Sequence, residues 1–228
     1  MINSFFNSLL NKPKLDNLYP LEDFFPNGIS NNPLIHISGD IEIGKTSLAL
    51  EIMYKNPDKT FLYIDTYFQL QEYQLSKNSI LFKSNIIEEI TSFINIIDNN
   101  ILDYIILDGM SNLISEEEFS SSSNIYIDNR YIKLNNWIKE ILNICLNKKI
   151  TLIIFNTING KGQAYNYSSQ INQLCSLDLK IIDKKYNFNN GLYNLTLMSN
   201  KNKFKDFYTK DIYTIVLDGK KSELINGM

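Results

Sequence analysis

Eight consecutive residues, Gly39-Asp40-Ile41-Glu42-Ile43-Gly44-Lys45-Thr46, follow the spacing G-x-x-x-x-G-K-[ST] in full. They come just after the apolar run Pro33-Leu34-Ile35-His36-Ile37 and open a helical pattern from Thr46 to Met53. That order suits one chemistry. A strand ends, a glycine-bounded turn exposes backbone N–H groups, and the next helix points its positive end at the same place. A phosphate chain fits such a turn, with Gly39 through Ser47 around it. Lys45 then bridges the β- and γ-phosphates, and the Thr46 hydroxyl becomes a ligand of Mg²⁺. A glycine turn without a ligand has no need of a lysine at that position. ATP with Mg²⁺ is the cofactor pair these residues imply.

A metal on Thr46 needs an acid opposite it. Asp108 closes the run Asp103-Tyr104-Ile105-Ile106-Leu107, and strand ends of an open α/β sheet converge on the ligand crevice. It is therefore the candidate metal partner, with a loop-capping role as the alternative. Asp65 also ends an apolar run and suits either a metal-bound water or the capping of the next turn. Hydrolysis further requires a group that orients water. Thr66, Tyr67 and Phe68 follow Asp65 without a carboxylate, while Asn156-Thr157 offers an amide and a hydroxyl. The chain is thus built to bind nucleotide and weakly equipped to cleave it.

The elements that must position these groups follow from periodicity. Thr60–Asp65, Asp103–Asp108 and Lys149–Asn156 are short, nearly uniform apolar runs, as central parallel strands require. Asn85–Ile97 and Asp128–Leu146 show apolar residues at helical spacing, among them Ile86, Ile90, Phe93, Trp137, Ile138 and Ile141. Ser115–Asn124 is polar and reads as a loop. Leu177–Asp183, Tyr193–Met198 and Ile212–Leu217 are strand-like, separated by Asn189-Asn190-Gly191 and by Lys201–Asp206. The expected fold is α/β: a mainly parallel central sheet flanked by helices, extended by C-terminal antiparallel hairpin strands. One core over 21–220 accounts for most of the chain, with a short segment 1–20 before it and a tail 221–228 after it.

Composition narrows the classes. A net charge of -3 argues against nonspecific nucleic-acid binding by the whole surface, though not against a local basic groove. His36 is the only histidine and lies in a buried strand, which excludes histidine triads and histidine metal clusters. Cys145 and Cys175 lack metal spacing and read as reduced core thiols. No apolar run reaches the length of a membrane span, and no leader is legible at Met1–Pro20. A soluble protein of the cytoplasm, nucleoid or nucleus, or of an organelle, is the expectation. Asparagine, isoleucine and lysine are over-used, as in translation from an AT-rich template, so isolated asparagines carry little weight.

Together these residues resemble the RecA/RadA recombinase ATPase family, over about Leu21 to Lys220. Leu21-Glu22-Asp23 through Gly28-Ile29 is similar to the family's approach to its phosphate loop. Gly39–Thr46 matches the loop itself, and Tyr104–Asp108 the aspartate-ended strand. Leu152–Thr157 resembles the strand leading into the second DNA-binding loop. Lys201-Asn202-Lys203, followed by Phe204 and Ile212–Leu217, resembles a bacterial Lys-Asn-Lys motif that reaches a neighbouring subunit's nucleotide. The resemblance implies a RecA-like P-loop core binding ATP and Mg²⁺, single-stranded DNA as partner, and assembly with itself or with another RecA-like protein. It places Lys45, Thr157, Lys201 and Lys203 at the triphosphate. It also places Lys161, Gly162, Tyr165 and Tyr167 on DNA, within Ile158–Gln173.

The departures are specific. The family's catalytic glutamate falls on Tyr67 and its γ-phosphate-sensing glutamine on Thr157, which implies slow hydrolysis. The first DNA loop falls on Ser115–Asn129, where Glu116-Glu117-Glu118 repels phosphate. By this matching the polymerisation module is expected to be reduced to Met1–Leu15 or missing, and a bacterial-type C-terminal domain is not expected. DNA recombination or repair is the function implied. A noncatalytic RecA-fold paralogue acting as a structural subunit is the first alternative, and a KaiC-like or helicase-like ring ATPase the second. A small-molecule kinase is a weaker third, for want of an arginine-rich lid.

Overall fold

A strand covered on both faces must be apolar along its whole length, and four runs of this chain satisfy that condition. In chain order the elements are β1 (Leu34–Gly39), α1 (Lys45–Lys55), β2 (Phe61–Asp65), β3 (Ser79–Lys83), α2 (Ile87–Ile96), β4 (Tyr104–Asp108), α3 (Ile127–Lys148), β5 (Thr151–Thr157), β6 (Leu177–Asn187), β7 (Leu192–Asn202) and β8 (Ile212–Leu217). β1, β2 and β4 are buried at every residue, and β5 at all but Thr157. The computed structural model describes residues 33–97, 101–113, 127–158, 171, 174–187, 192–202 and 212–217.

The strands form one eight-stranded sheet in the order β3-β2-β4-β5-β1-β6-β7-β8. Every pair from β3 to β6 is parallel, and β6-β7 and β7-β8 are antiparallel. Alternation along each strand sorts side chains onto two faces. Ile35, Ile37, Tyr63, Ile106 and Phe155 pack with Leu48, Ile52 and Met53 of α1 on one face. Leu62, Ile64, Ile105, Leu107 and Ile154 pack with Ile90 and Ile94 of α2 and Trp137, Ile138 and Ile141 of α3 on the other. The Trp137 indole N–H donates to Thr91 Oγ1 at 2.8 Å, fixing α3 against α2. Among the described residues no helix is long and apolar enough to cross a membrane.

The α/β reading with a mainly parallel sheet and a C-terminal antiparallel extension stands. Three details differ from the sequence expectation. β3 was not anticipated: its half-buried residues sit on an edge strand, where apolar and polar positions do not alternate cleanly. β6 is not the first antiparallel strand, because it pairs parallel to β1 from Leu177 to Lys180. It then extends past the parallel sheet to pair with β7 over its full length. Lys201 and Asn202 belong to β7 rather than to a separating turn. Cys145 and Cys175 are buried thiols, not joined in a disulfide. Residues 1–32, including the expected approach 21–29, lie outside the described residues, as do 115–124, 204 and 221–228.

Candidate site at the carboxyl ends of β1, β4 and β5

β1 delivers its last residue, Gly39, to the start of the motif loop, and α1 begins at Lys45 immediately behind it. Gly39 has no room for a side chain: an added Cβ would fall 2.7 Å from Ile43 Cγ2 and 3.2 Å from Ile181 Cβ. Gly44 caps α1 with φ 102°, a left-handed conformation that strains any other residue. Its side offers no side-chain hydrogen bond to the helix, and the first turn of α1 carries no acid. With neither a side-chain cap nor an acid in the first turn, the first N–H groups of the helix keep a positive partial charge that suits an anion. Glu42, also at positive φ (61°), and Ile41, 74% exposed, form the outer rim of the loop.

Lys45 is buried, and its Nζ donates to the carbonyl oxygens of Gly39 at 3.1 Å and Asp40 at 2.6 Å. The ammonium thus lies over the loop that the first helical turn faces. Burial lowers its pKa below the usual lysine value, against the opposing pull of Asp108 and Asp40. A desolvated cation of this kind interacts more strongly with an incoming anion than a hydrated one does.

Asp108 is the centre of the site. It is 3% exposed, and its Oδ2 accepts hydrogen bonds from Thr46 Oγ1 at 2.6 Å and Tyr63 OH at 2.7 Å. Burial raises its carboxyl above the ordinary value; the hydroxyls of Thr46 and Tyr63 oppose that shift, Asp65 adds to it, and Lys45 opposes it. The phenol of fully buried Tyr63 is pushed well above its ordinary value, first by burial and then by Asp108. A hydroxyl and a carboxylate this close fit a single Mg²⁺, which takes oxygen ligands and keeps several waters. Among the described residues no three His, Cys, Asp or Glu side chains are grouped to hold a metal, so a cation here would draw its remaining ligands from phosphate and water. Thr46 and Asp108, drawn from opposite ends of the motif reading, are brought together.

Asp65 lies beside Asp108 in register across β2 and β4 but serves a different purpose. Its Oδ1 accepts the N–H of Tyr67 at 3.0 Å and its Oδ2 that of Leu70 at 2.8 Å. The capping alternative is the one realised. Thr66 Oγ1 donates to the carbonyl oxygens of Asp108 and Gly109, both at 2.9 Å, tying this turn to the end of β4.

Thr157 pairs in register with Gly39 and is half-buried at the mouth of the site. Its Oγ1 is 3.4 Å from the Tyr67 hydroxyl, which is 3.2 Å from Ser111 Oγ. Tyr63 and Ser111 were missed in the sequence. Tyr63 looked like one more apolar strand residue, although its position two before Asp65 on the α1 face was the available signal. Lys201 is opposite Asp178 on β7, six residues beyond Leu195, whose side chain lies against Gly44. That is roughly 20 Å of strand between the two backbone positions. Lys203, Lys161, Gly162, Tyr165 and Tyr167 lie outside the described residues.

His36, on the face away from α1, is buried with Nδ1 2.7 Å from Asp178 Oδ1, in keeping with the structural role expected of it. No protein-family model matches this chain, and no curated protein does either.

Proposed function

We propose that the chain is a RecA-like P-loop protein that binds ATP·Mg²⁺ and works in DNA recombination or repair. The observation that carries the nucleotide part is the hydrogen bond of 2.6 Å between Thr46 of the glycine-bounded loop and Asp108 of β4. Two residues separated by 62 positions, each chosen for a metal–phosphate role, meet at one point. Gly39 through Ser47 hold the triphosphate, with backbone N–H groups and the Lys45 ammonium meeting its charge. Thr46 and Asp108 hold Mg²⁺, which supplies charge neutralisation at the phosphates when bound. Lys201 and Lys203 reach the nucleotide of a neighbouring copy or of another RecA-like subunit. Residues 158–173, with Lys161, Gly162, Tyr165 and Tyr167, take single-stranded DNA when the triphosphate is bound.

Hydrolysis is slow in this reading. Tyr67 and Thr157 present neutral hydroxyls, and Asp65 is committed to two backbone N–H groups. The absence of a free carboxylate at the end of β2 favours a second reading, a nucleotide-binding subunit that assembles without turnover. The test is ATP turnover by purified protein with Mg²⁺, with and without single-stranded DNA, over a range of protein concentrations. The first reading predicts slow turnover that rises with DNA and with protein concentration. Flat, negligible turnover together with retained ATP binding selects the noncatalytic subunit.

A further inference from the structure

Asp108 is held from two elements at once, and both hold the same oxygen. Thr46 Oγ1, from the first turn of α1, donates to Oδ2 at 2.6 Å, and the Tyr63 hydroxyl of β2 donates to it at 2.7 Å. Tyr63 stands opposite Ile106 in the β2–β4 register, two residues short of Asp108. Its ring therefore spans that step along the sheet and brings the phenol to the strand end. Phenylalanine at this position would arrive without a donor. The backbone of Asp108 is tied down as well, since its carbonyl oxygen accepts from Thr66 Oγ1 at 2.9 Å. The end of β2 grips both the main chain and the side chain of one residue.

The two donors differ in what they can do next. Thr46 is half-buried, and its hydroxyl oxygen keeps lone pairs for a cation while its proton stays on Oδ2. Tyr63 is among the largest fully buried side chains described, so its O–H has no water to turn to if it leaves Asp108. The phenol also keeps its proton over the neutral range, because burial and then Asp108 push it well above its ordinary value. A carboxylate oxygen accepts about two hydrogen bonds, and Oδ2 has both. That leaves Oδ1 to meet a cation. An apolar side chain would fill the same space among Ile52, Ile106 and Phe155 without burying a polar group.

Resting on the nucleotide reading above, we infer that Tyr63 is a positioning residue that restricts Asp108 to one oxygen toward the metal and so selects Mg²⁺ over Ca²⁺. Mg²⁺ demands near-octahedral geometry and retains several waters, for which a single carboxylate oxygen is enough. Ca²⁺ takes more oxygens at longer distances and gains from a carboxylate that offers both. With Oδ2 saturated by Tyr63 and Thr46, Asp108 cannot turn to chelate through both oxygens, and the larger cation is left short of a ligand. Removing a group that holds a metal ligand changes metal affinity by about 10- to 100-fold.

The experiment is calorimetric titration of ATP into the wild type, Tyr63→Phe and Tyr63→Leu, each with saturating Mg²⁺ and with saturating Ca²⁺. The wild type should bind ATP more tightly with Mg²⁺ than with Ca²⁺. Tyr63→Phe keeps the ring and loses the O–H, and should cut that ratio about ten-fold. Its affinity in Ca²⁺ should be no weaker than that of the wild type, an outcome a folding defect cannot produce. Tyr63→Leu, a second chain without the hydroxyl, should lower the ratio in the same direction. If the wild type binds ATP with neither cation, the nucleotide reading itself fails. If it binds with both but without preference, or with a ratio that loss of the hydroxyl leaves unmoved, Tyr63 is only a packed strand residue and the inference is overturned.

Discussion

The carboxyl ends of β2 and β4 lie side by side, and each closes on a buried aspartate, yet the two acids face different partners. Asp65 gives both oxygens to backbone N–H groups of the turn that follows it. Among the described residues the Asp108 carboxylate accepts from side-chain hydroxyls, those of Thr46 and Tyr63, rather than from backbone N–H groups. A carboxylate bound by backbone N–H groups is locked into the fold, because releasing it strands those donors. A carboxylate bound by rotatable hydroxyls can exchange a partner for a cation at small cost. The difference teaches that position in the sheet does not assign a role to a strand-end acid; the kind of donor around it does.

The contrast can be broken by mutation. Asp65→Ala should cost about 3 kcal/mol of stability, because the buried Leu70 N–H and the Tyr67 N–H lose charged acceptors. Urea denaturation checks it; a loss within about 0.5 kcal/mol would show that Asp65 is not a structural cap. Asp108→Asn should do the reverse. Its carboxyl is raised in the folded state by burial, so its stabilising contribution is complete below the ordinary value of 3.8 and is lost as pH rises through the raised one. Burial penalises the charged carboxylate, so at neutral pH the uncharged amide should melt no lower than the wild type. The gap should close as pH falls toward the ordinary carboxylate range. Melting curves from pH 7 to pH 4 read this smaller effect, and a variant that melts well below the wild type at pH 7 contradicts it.

The glycine-bounded loop was legible because its chemistry is local: glycines, lysine and threonine must fall at fixed offsets around one turn. Asp108 was legible because a uniformly apolar run can end in an acid only where that acid has a use. The four central strands and the three helices were legible from periodicity, since burial on one or both faces writes itself into residue spacing. Strand order leaves no such mark. The parallel pairing of β6 with β1 depends on contacts more than 130 residues apart, as between His36 and Asp178, separated by 142 positions. The meeting of Tyr67 with Thr157 depends on β4 lying between their strands, and so it could not be read from either segment alone. β3 escaped for a different reason: Ser79-Ile80-Leu81-Phe82-Lys83 is short and half-buried, and its three central apolar residues fit strand and helix equally. Asp65 stood open between metal and cap, because the backbone N–H groups that decide the matter are common to all residue types but proline and leave no mark in the sequence.

The central claim is that Lys45, Thr46 and Asp108 form one site for a nucleotide with its metal. Calorimetric titration of ATP into the wild type and Lys45→Ala, each with and without Mg²⁺, tests it most directly. The account predicts Mg²⁺-dependent binding by the wild type and an affinity at least about 100-fold weaker in Lys45→Ala, as loss of a buried charge contact to phosphate implies. Equal binding by the two proteins, or no binding by the wild type with Mg²⁺ present, would contradict it.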